Sequence, residues 1–199
     1  MKMCSRVKLL LVLFAVISLA TSLAYTVHAD RDDVVILKAN LTGFQEVPPR
    51  LTTGHGTFRA KLDASNQSIS FTETWTGLTG NTVPSGHVLF SHIHFGQPGV
   101  AAGIMVFLCG PTGATNPDKP ACQDSSSGSA TGTITAADVF PTGALSSPTD
   151  QGVTAGDFAG LLRIIRSGNA YANIHTTEFG AGEIRGQIQI SRDDDDDDR

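Results

Sequence analysis

His92 and His94 flank a single isoleucine in Ser91-His92-Ile93-His94-Phe95-Gly96, and a third imidazole, His175, stands in Asn173-Ile174-His175-Thr176. Side chains alternate along a strand, so His92 and His94 should point to one face. If the strand carrying His175 lies nearby, three nitrogen ligands meet. Such a set, without thiolates, suits copper(II) or zinc better than calcium or magnesium. His55 and His87 are spare candidates in turn-like surroundings, and Glu183 or Glu178 could orient an imidazole from behind. Against this stands a plainer reading, which the sequence favours. The three histidines bond loop carbonyls at the rim of a β-structure, with Phe90, Ile93 and Phe95 filling the core.

Other chemistry has less support. The chain has no Gly-x-Ser-x-Gly elbow and no phosphate-cradling glycine loop opening a helix. Glu183 and Arg185 share a strand face, which suits an ion pair or cross-strand contact better than acid–base work. The sequence therefore points away from an enzyme and toward a binding or structural protein.

The elements that must position these residues are mostly short strands. Val34 to Leu41, Gly56 to Asp63, Ser68 to Thr76, Val88 to Phe95, Gly103 to Cys109, Gly128 to Ile134, Ala170 to His175 and Glu183 to Ile190 all read as strands, and several alternate cleanly. Phe58, Ala60 and Leu62 should face inward, as should Ile69, Phe71 and Trp75. Glu73 falls on that same inward face, which means a buried carboxyl or a slipped register. Thr135 with Asp138 should cap a short helical turn. Thr154 and Asp157 should open a longer helix with Phe158, Leu161, Leu162 and Ile165 on its apolar side and Gly168 as its stop. Pro48 and Pro49 would end the first strand segment. Frequent Gly and Pro punctuation between strands predicts an all-β fold, a Greek-key-like antiparallel β-sandwich with one or two short capped helices.

The chain ends set its compartment. Lys2, Arg6 and Lys8 precede an uncharged apolar run from Leu9 to Ala24, and small residues lead to Ala29, so residues 1–29 read as a signal peptide. Retention as an anchor is the competing reading; cleavage would leave no membrane span. Residues 30–190 form the expected domain, and residues 191–199, with Asp193 to Asp198 in an unbroken run, an acidic disordered tail. Loss of the three leader cations takes the net charge from −5 to −8, which argues against nucleic-acid binding. Of the three cysteines, Cys4 leaves with the leader; Cys109 and Cys122 should then form a disulfide in an oxidising compartment. Asn40-Leu41-Thr42 and Asn66-Gln67-Ser68 are glycosylation sequons in a host that has the machinery.

Five segments occur in a telling order: Gly43-Phe44-Gln45-Glu46-Val47-Pro48-Pro49, His92-Ile93-His94-Phe95-Gly96, the Thr154/Asp157 helix, Asn173-Ile174-His175-Thr176, and Gly182-Glu183-Ile184-Arg185-Gly186-Gln187. Together they resemble the CHRD domain, a module repeated in chordin and single in many secreted bacterial proteins. The resemblance implies a secreted or periplasmic protein whose partner is an extracellular protein or a cell-surface component. It brings no established molecular activity. The His-x-His strand is also similar to that of the copper-zinc superoxide dismutases. Such an enzyme needs further histidines and an aspartate for its second metal, and downstream of His94 only His175 follows. A single copper or zinc ion, with or without redox chemistry, is what the residues would allow.

Overall fold

A computed structural model describes residues 35–63, 65, 67–78, 88–110, 119–140 and 151–192. The expected signal peptide, the aspartate run, His87 and Asn66 lie outside these residues.

Among the described residues nine strands form the fold: β1 (Val35–Thr42), β2 (His55–Asp63), β3 (Ser68–Thr76), β4 (Val88–Phe95), β5 (Ile104–Cys109), β6 (Gly128–Ile134), β7 (Ala170–Thr176), β8 (Ile184–Gln187) and β9 (Gln189–Arg192). Every pairing is antiparallel, in the order β5-β4-β7-β8-β1-β2-β3-β6, with β9 also on β1. β5 and β6, at opposite ends of that order, approach each other, so the sheet is nearly closed and sandwich-like. The sequence anticipates this all-β class.

One expected strand proves to be two. The segment anticipated from Glu183 to Ile190 breaks at Ile188: β8 pairs with β7, whereas β9 pairs with β1 over Val35↔Arg192 to Lys38↔Gln189. A strand that changes partners makes the corner between two packed layers. Ile188 is fully buried at that corner. The pairing also draws Ser191 and Arg192, expected in the tail, into the sheet.

Burial follows the alternation. Leu37, Ala39 and Leu41 of β1, Phe58, Ala60 and Leu62 of β2, and Ile69, Phe71 and Trp75 of β3 are all buried, and the Phe58 and Phe71 rings stack 6.2 Å apart. The β2–β3 and β3–β6 ladders run without a register shift through Glu73, which is therefore a buried carboxyl and not a slip. Neither of its oxygens has a hydrogen-bond partner.

Helix α1 (Phe158–Arg166) closes the core with Phe158, Leu161, Ile164 and Ile165, while Leu162 is only half-buried. Its cap is Asp157, whose side chain accepts from the Gly160 N–H; Thr154 stands a turn earlier and supplies a backbone carbonyl to Asp157. Gly168, at φ +73°, follows the helix as expected. At the shorter turn, Ala136–Asp138, the Thr135 N–H and hydroxyl both donate to Asp138 Oδ2.

Cys109 and Cys122 are disulfide-bonded. The bridge ties the end of β5 to the segment before β6. Nearby, the buried Lys119 ammonium pairs with Asp138 at 2.9 Å and donates to the Thr133 carbonyl. Among the described residues no helix is long and apolar enough to cross a membrane.

Candidate metal centre

β4, β5 and β7 are adjacent, and their core-facing side chains, among them Ile93, Val106 and Ile174, belong to the hydrophobic interior. The alternate residues face the other way, into a cavity of about 480 Å³. Tyr171, Asn173 and His175 from β7 meet His92 and His94 from β4 there, with Phe107 and Ile104 on the β5 side. Ladder pairing explains the gathering: His92 stands opposite Asn173, and His94 opposite Tyr171.

His92, His94 and His175 each bring a ring nitrogen within 4.8 Å of the other two. Metal–imidazole bonds of about 2.0–2.1 Å hold nitrogens roughly 3.3 Å apart around a tetrahedral ion, so the widest pair would have to close by about 1.5 Å when an ion binds. All three imidazoles are buried. Their hydrogen bonds fix which nitrogen faces the cavity. His94 Nδ1 is 2.6 Å from the Ala102 carbonyl and His175 Nδ1 is 3.0 Å from that of Gly180. A carbonyl only accepts, so each Nδ1 carries the proton and each Nε2 keeps a free lone pair. His175 Nε2 and both nitrogens of His92 are buried without a hydrogen-bond partner. Leaving such groups unmatched costs about 1–3 kcal/mol each.

The surroundings hold the rings neutral. Burial, with the His175 ring as a second influence, pushes His94 down to about 3. Burial pushes His175 down to about 4. His92 lies well below its ordinary value, again through burial first and its two histidine neighbours next. Neutral imidazole is the form that ligates metal, so no proton need leave at neutral pH.

Aromatic and ionic neighbours brace the site. Phe90, expected in the core, instead packs in the cavity on His92 and His175, with ring centroids 5.3 and 4.7 Å away. Tyr171 stacks on His94 at 4.5 Å and 9°. Arg185 covers the other face of Tyr171, its guanidinium carbon 3.4 Å from the ring centroid, and donates to the carbonyls of Gln97 and Val100 at 2.9 Å each. Burial raises Glu46 despite its hydrogen bond from Asn173.

Several sequence-based roles move elsewhere. Glu183 does not orient an imidazole: it accepts from Thr52 and Thr176, at 2.6 and 2.8 Å, and Glu178 is exposed. Backbone carbonyls of Ala102 and Gly180 do the orienting instead. Arg185 binds loop carbonyls and lies over Tyr171 of the neighbouring strand β7, a cross-strand contact of the kind the sequence suggested in place of acid–base work. His55 is exposed, bonded to the Thr53 carbonyl, and away from the cluster. Tyr171 and Asn173 escaped notice as site residues, although both share the alternation that places His175.

A family model for the CHRD domain matches residues 37–188. The chain belongs to the CHRD domain family. A search of curated proteins returned no match.

Proposed function

We propose that this CHRD domain is a secreted binding module whose ligand is one copper(II) or zinc ion held by His92, His94 and His175. The observation that carries the reading is the convergence of three buried imidazoles, with nitrogens of His92 and His175 that lack any hydrogen-bond partner. A structural histidine normally satisfies itself; His94 and His175 spend one nitrogen on a carbonyl and His92 spends none, and a nitrogen of each lies within 4.8 Å of the other two. The metal-free cluster is costly to bury, and a cation would remove that cost. Three nitrogen donors leave such an ion at least one further position, on the side of the cavity. Export rests on the leader-like residues 1–29 and on the Cys109–Cys122 bridge, which suits an oxidising compartment.

Titration of the metal-free protein with copper(II) and zinc, followed by elemental analysis after desalting, tests the binding. One equivalent retained by the wild-type chain and lost on His92→Ala or His175→Ala is expected. A chain that retains neither ion overturns the reading. Export is checked by amino-terminal sequencing of protein recovered outside the cytoplasm, which should begin at Asp30.

A further inference from the structure

Next to the three imidazoles lies a further unmatched acceptor, the oxygen of a carboxamide. Asn173 sits directly across the ladder from His92 and shares its strand face with Tyr171 and His175. Its Oδ1 is buried without a hydrogen-bond partner. Its Nδ2 is committed, donating to Glu46 Oε1 at 2.6 Å.

A carboxamide has one donating and one accepting end. With the amino end held by a carboxylate, which can only accept when ionised, the carbonyl end is turned away from Glu46. It is left among the imidazoles, since Asn173 stands across the ladder from His92 and lines the same cavity as His94 and His175. A buried carbonyl oxygen with no donor of its own is relieved by a cation. The arrangement is guarded by Gly182, at φ +117°: a Cβ at that position would fall 2.5 Å from both Asn173 Nδ2 and Glu46 Oε1. Only a residue without a side chain leaves room for the bond that orients the amide.

We propose that Asn173 Oδ1 is the fourth donor to the ion, with Glu46 as the positioning residue that holds the amide in its ligating orientation. The inference rests on the three-histidine reading above and extends it to an N3O donor set. It also sharpens the choice of ion. A neutral carbonyl oxygen is a hard donor, and no thiolate or thioether lines the cavity among the described residues, so copper(II) and zinc are favoured and copper(I) is not.

Copper(II) affinity and electron paramagnetic resonance of the full-length chain test this. Asn173→Ala should still bind copper through its histidines, roughly tenfold or more weakly, with a changed copper hyperfine pattern. Glu46→Gln should weaken binding less. The double variant Glu46→Gln/Asn173→Asp reverses the hydrogen bond: the introduced amide donates, the introduced carboxylate accepts and keeps its second oxygen on the ion. It should bind more tightly than Asn173→Ala. It also covers the case in which the alanine variant fails to fold. Affinity and spectrum unchanged in Asn173→Ala, or a double variant no better than alanine, overturn the assignment of Asn173 while leaving the histidine site standing. A wild-type chain that binds neither copper nor zinc instead overturns the three-histidine site itself.

Discussion

The Nδ1 nitrogen of His94 and the carbonyl oxygen of Ala102 are 2.6 Å apart, and that single contact decides which nitrogen of the ring looks into the cavity. Ala102 belongs to the segment between β4 and β5, so the loop acts on a strand residue eight positions back. The same relation joins His175 to Gly180 beyond the end of β7. Orientation by a second group is usual for metal-binding histidines. Substitution of His94 or His175 by alanine should therefore lower copper(II) and zinc affinity by about 100-fold or more, in line with loss of a ligand and its support. His55→Ala, at an exposed site, should leave it unchanged. Competition titration with a chromogenic chelator reads both.

Stability of the metal-free protein should peak near pH 6.5. His175 and His94 fall from their ordinary 6.5 to about 4 and about 3, and burial holds His92 well below its ordinary value, so below pH 6.5 the unfolded chain takes up protons that the folded one refuses. Stability is then lost as pH falls, by about 1.4 kcal/mol per pH unit for each such group. Glu73 works in the opposite sense. Burial lifts it from 4.5 to about 8, so the folded chain holds a proton that the unfolded chain has released, and stability declines as pH rises through that interval. The histidines outweigh Glu73 below pH 6.5; above it they no longer contribute, and Glu73 sets the decline, joined in sign by the raised Glu46. Urea denaturation between about pH 4 and 9 should show the resulting maximum.

Glu73→Gln isolates one arm of that curve. The amide cannot ionise, so the decline above pH 6.5 should flatten while the acid limb stays. Glu73→Leu should do the same and raise stability at about pH 8, because the carboxyl oxygens find no partner to replace. Retention of the alkaline slope in both variants would show that another group causes it.

Cys109→Ser/Cys122→Ser should lose about 3 kcal/mol in equilibrium unfolding, the chain-entropy value for a loop of this length. Its effect should reach the cavity as well, because β5 ends at Cys109 and carries Phe107 against His92, ring centroids 5.3 Å apart.

Arg185→Lys removes the planar fork that reaches two carbonyls at once while lying on Tyr171. A lysine cannot reproduce that geometry. Hydrogen exchange in residues 96–100 should accelerate, and the cost should be about 1–3 kcal/mol from the lost charged hydrogen bonds. Unchanged exchange would mean that the loop is held by its own turn.

Alternation made much of this legible in the sequence. Polar and apolar residues exchange places regularly along β2 and β3, so their faces could be read directly, and Glu73 stood out as the exception. The His-x-His spacing placed two ligands on one face before any partner strand was known. What could not be read came from contacts distant in the chain. Glu183 and Arg185 sit two positions apart, yet their partners are Thr52 in one case and the carbonyls of Gln97 and Val100 in the other. The carbonyls that orient His94 and His175 lie in loops, where no period announces them. Ile188, between Gln187 and Gln189 and in step with Ile184 and Ile190, continued the alternation and gave no sign that the strand changes partners there. The helix cap fell on Asp157 because its carboxylate reaches the Gly160 N–H; the sequence offered Thr154 as well, and composition could not choose between them.

The pairing of Val35 with Arg192 sets the start of β1 beside the end of β9. Polypeptide entering the domain and polypeptide leaving it thus pass through the same doorway. A host protein could accept the unit within a surface loop without being pried open, and joining the two ends through a short linker would permit new termini elsewhere, such as the turn around Ser65 between β2 and β3.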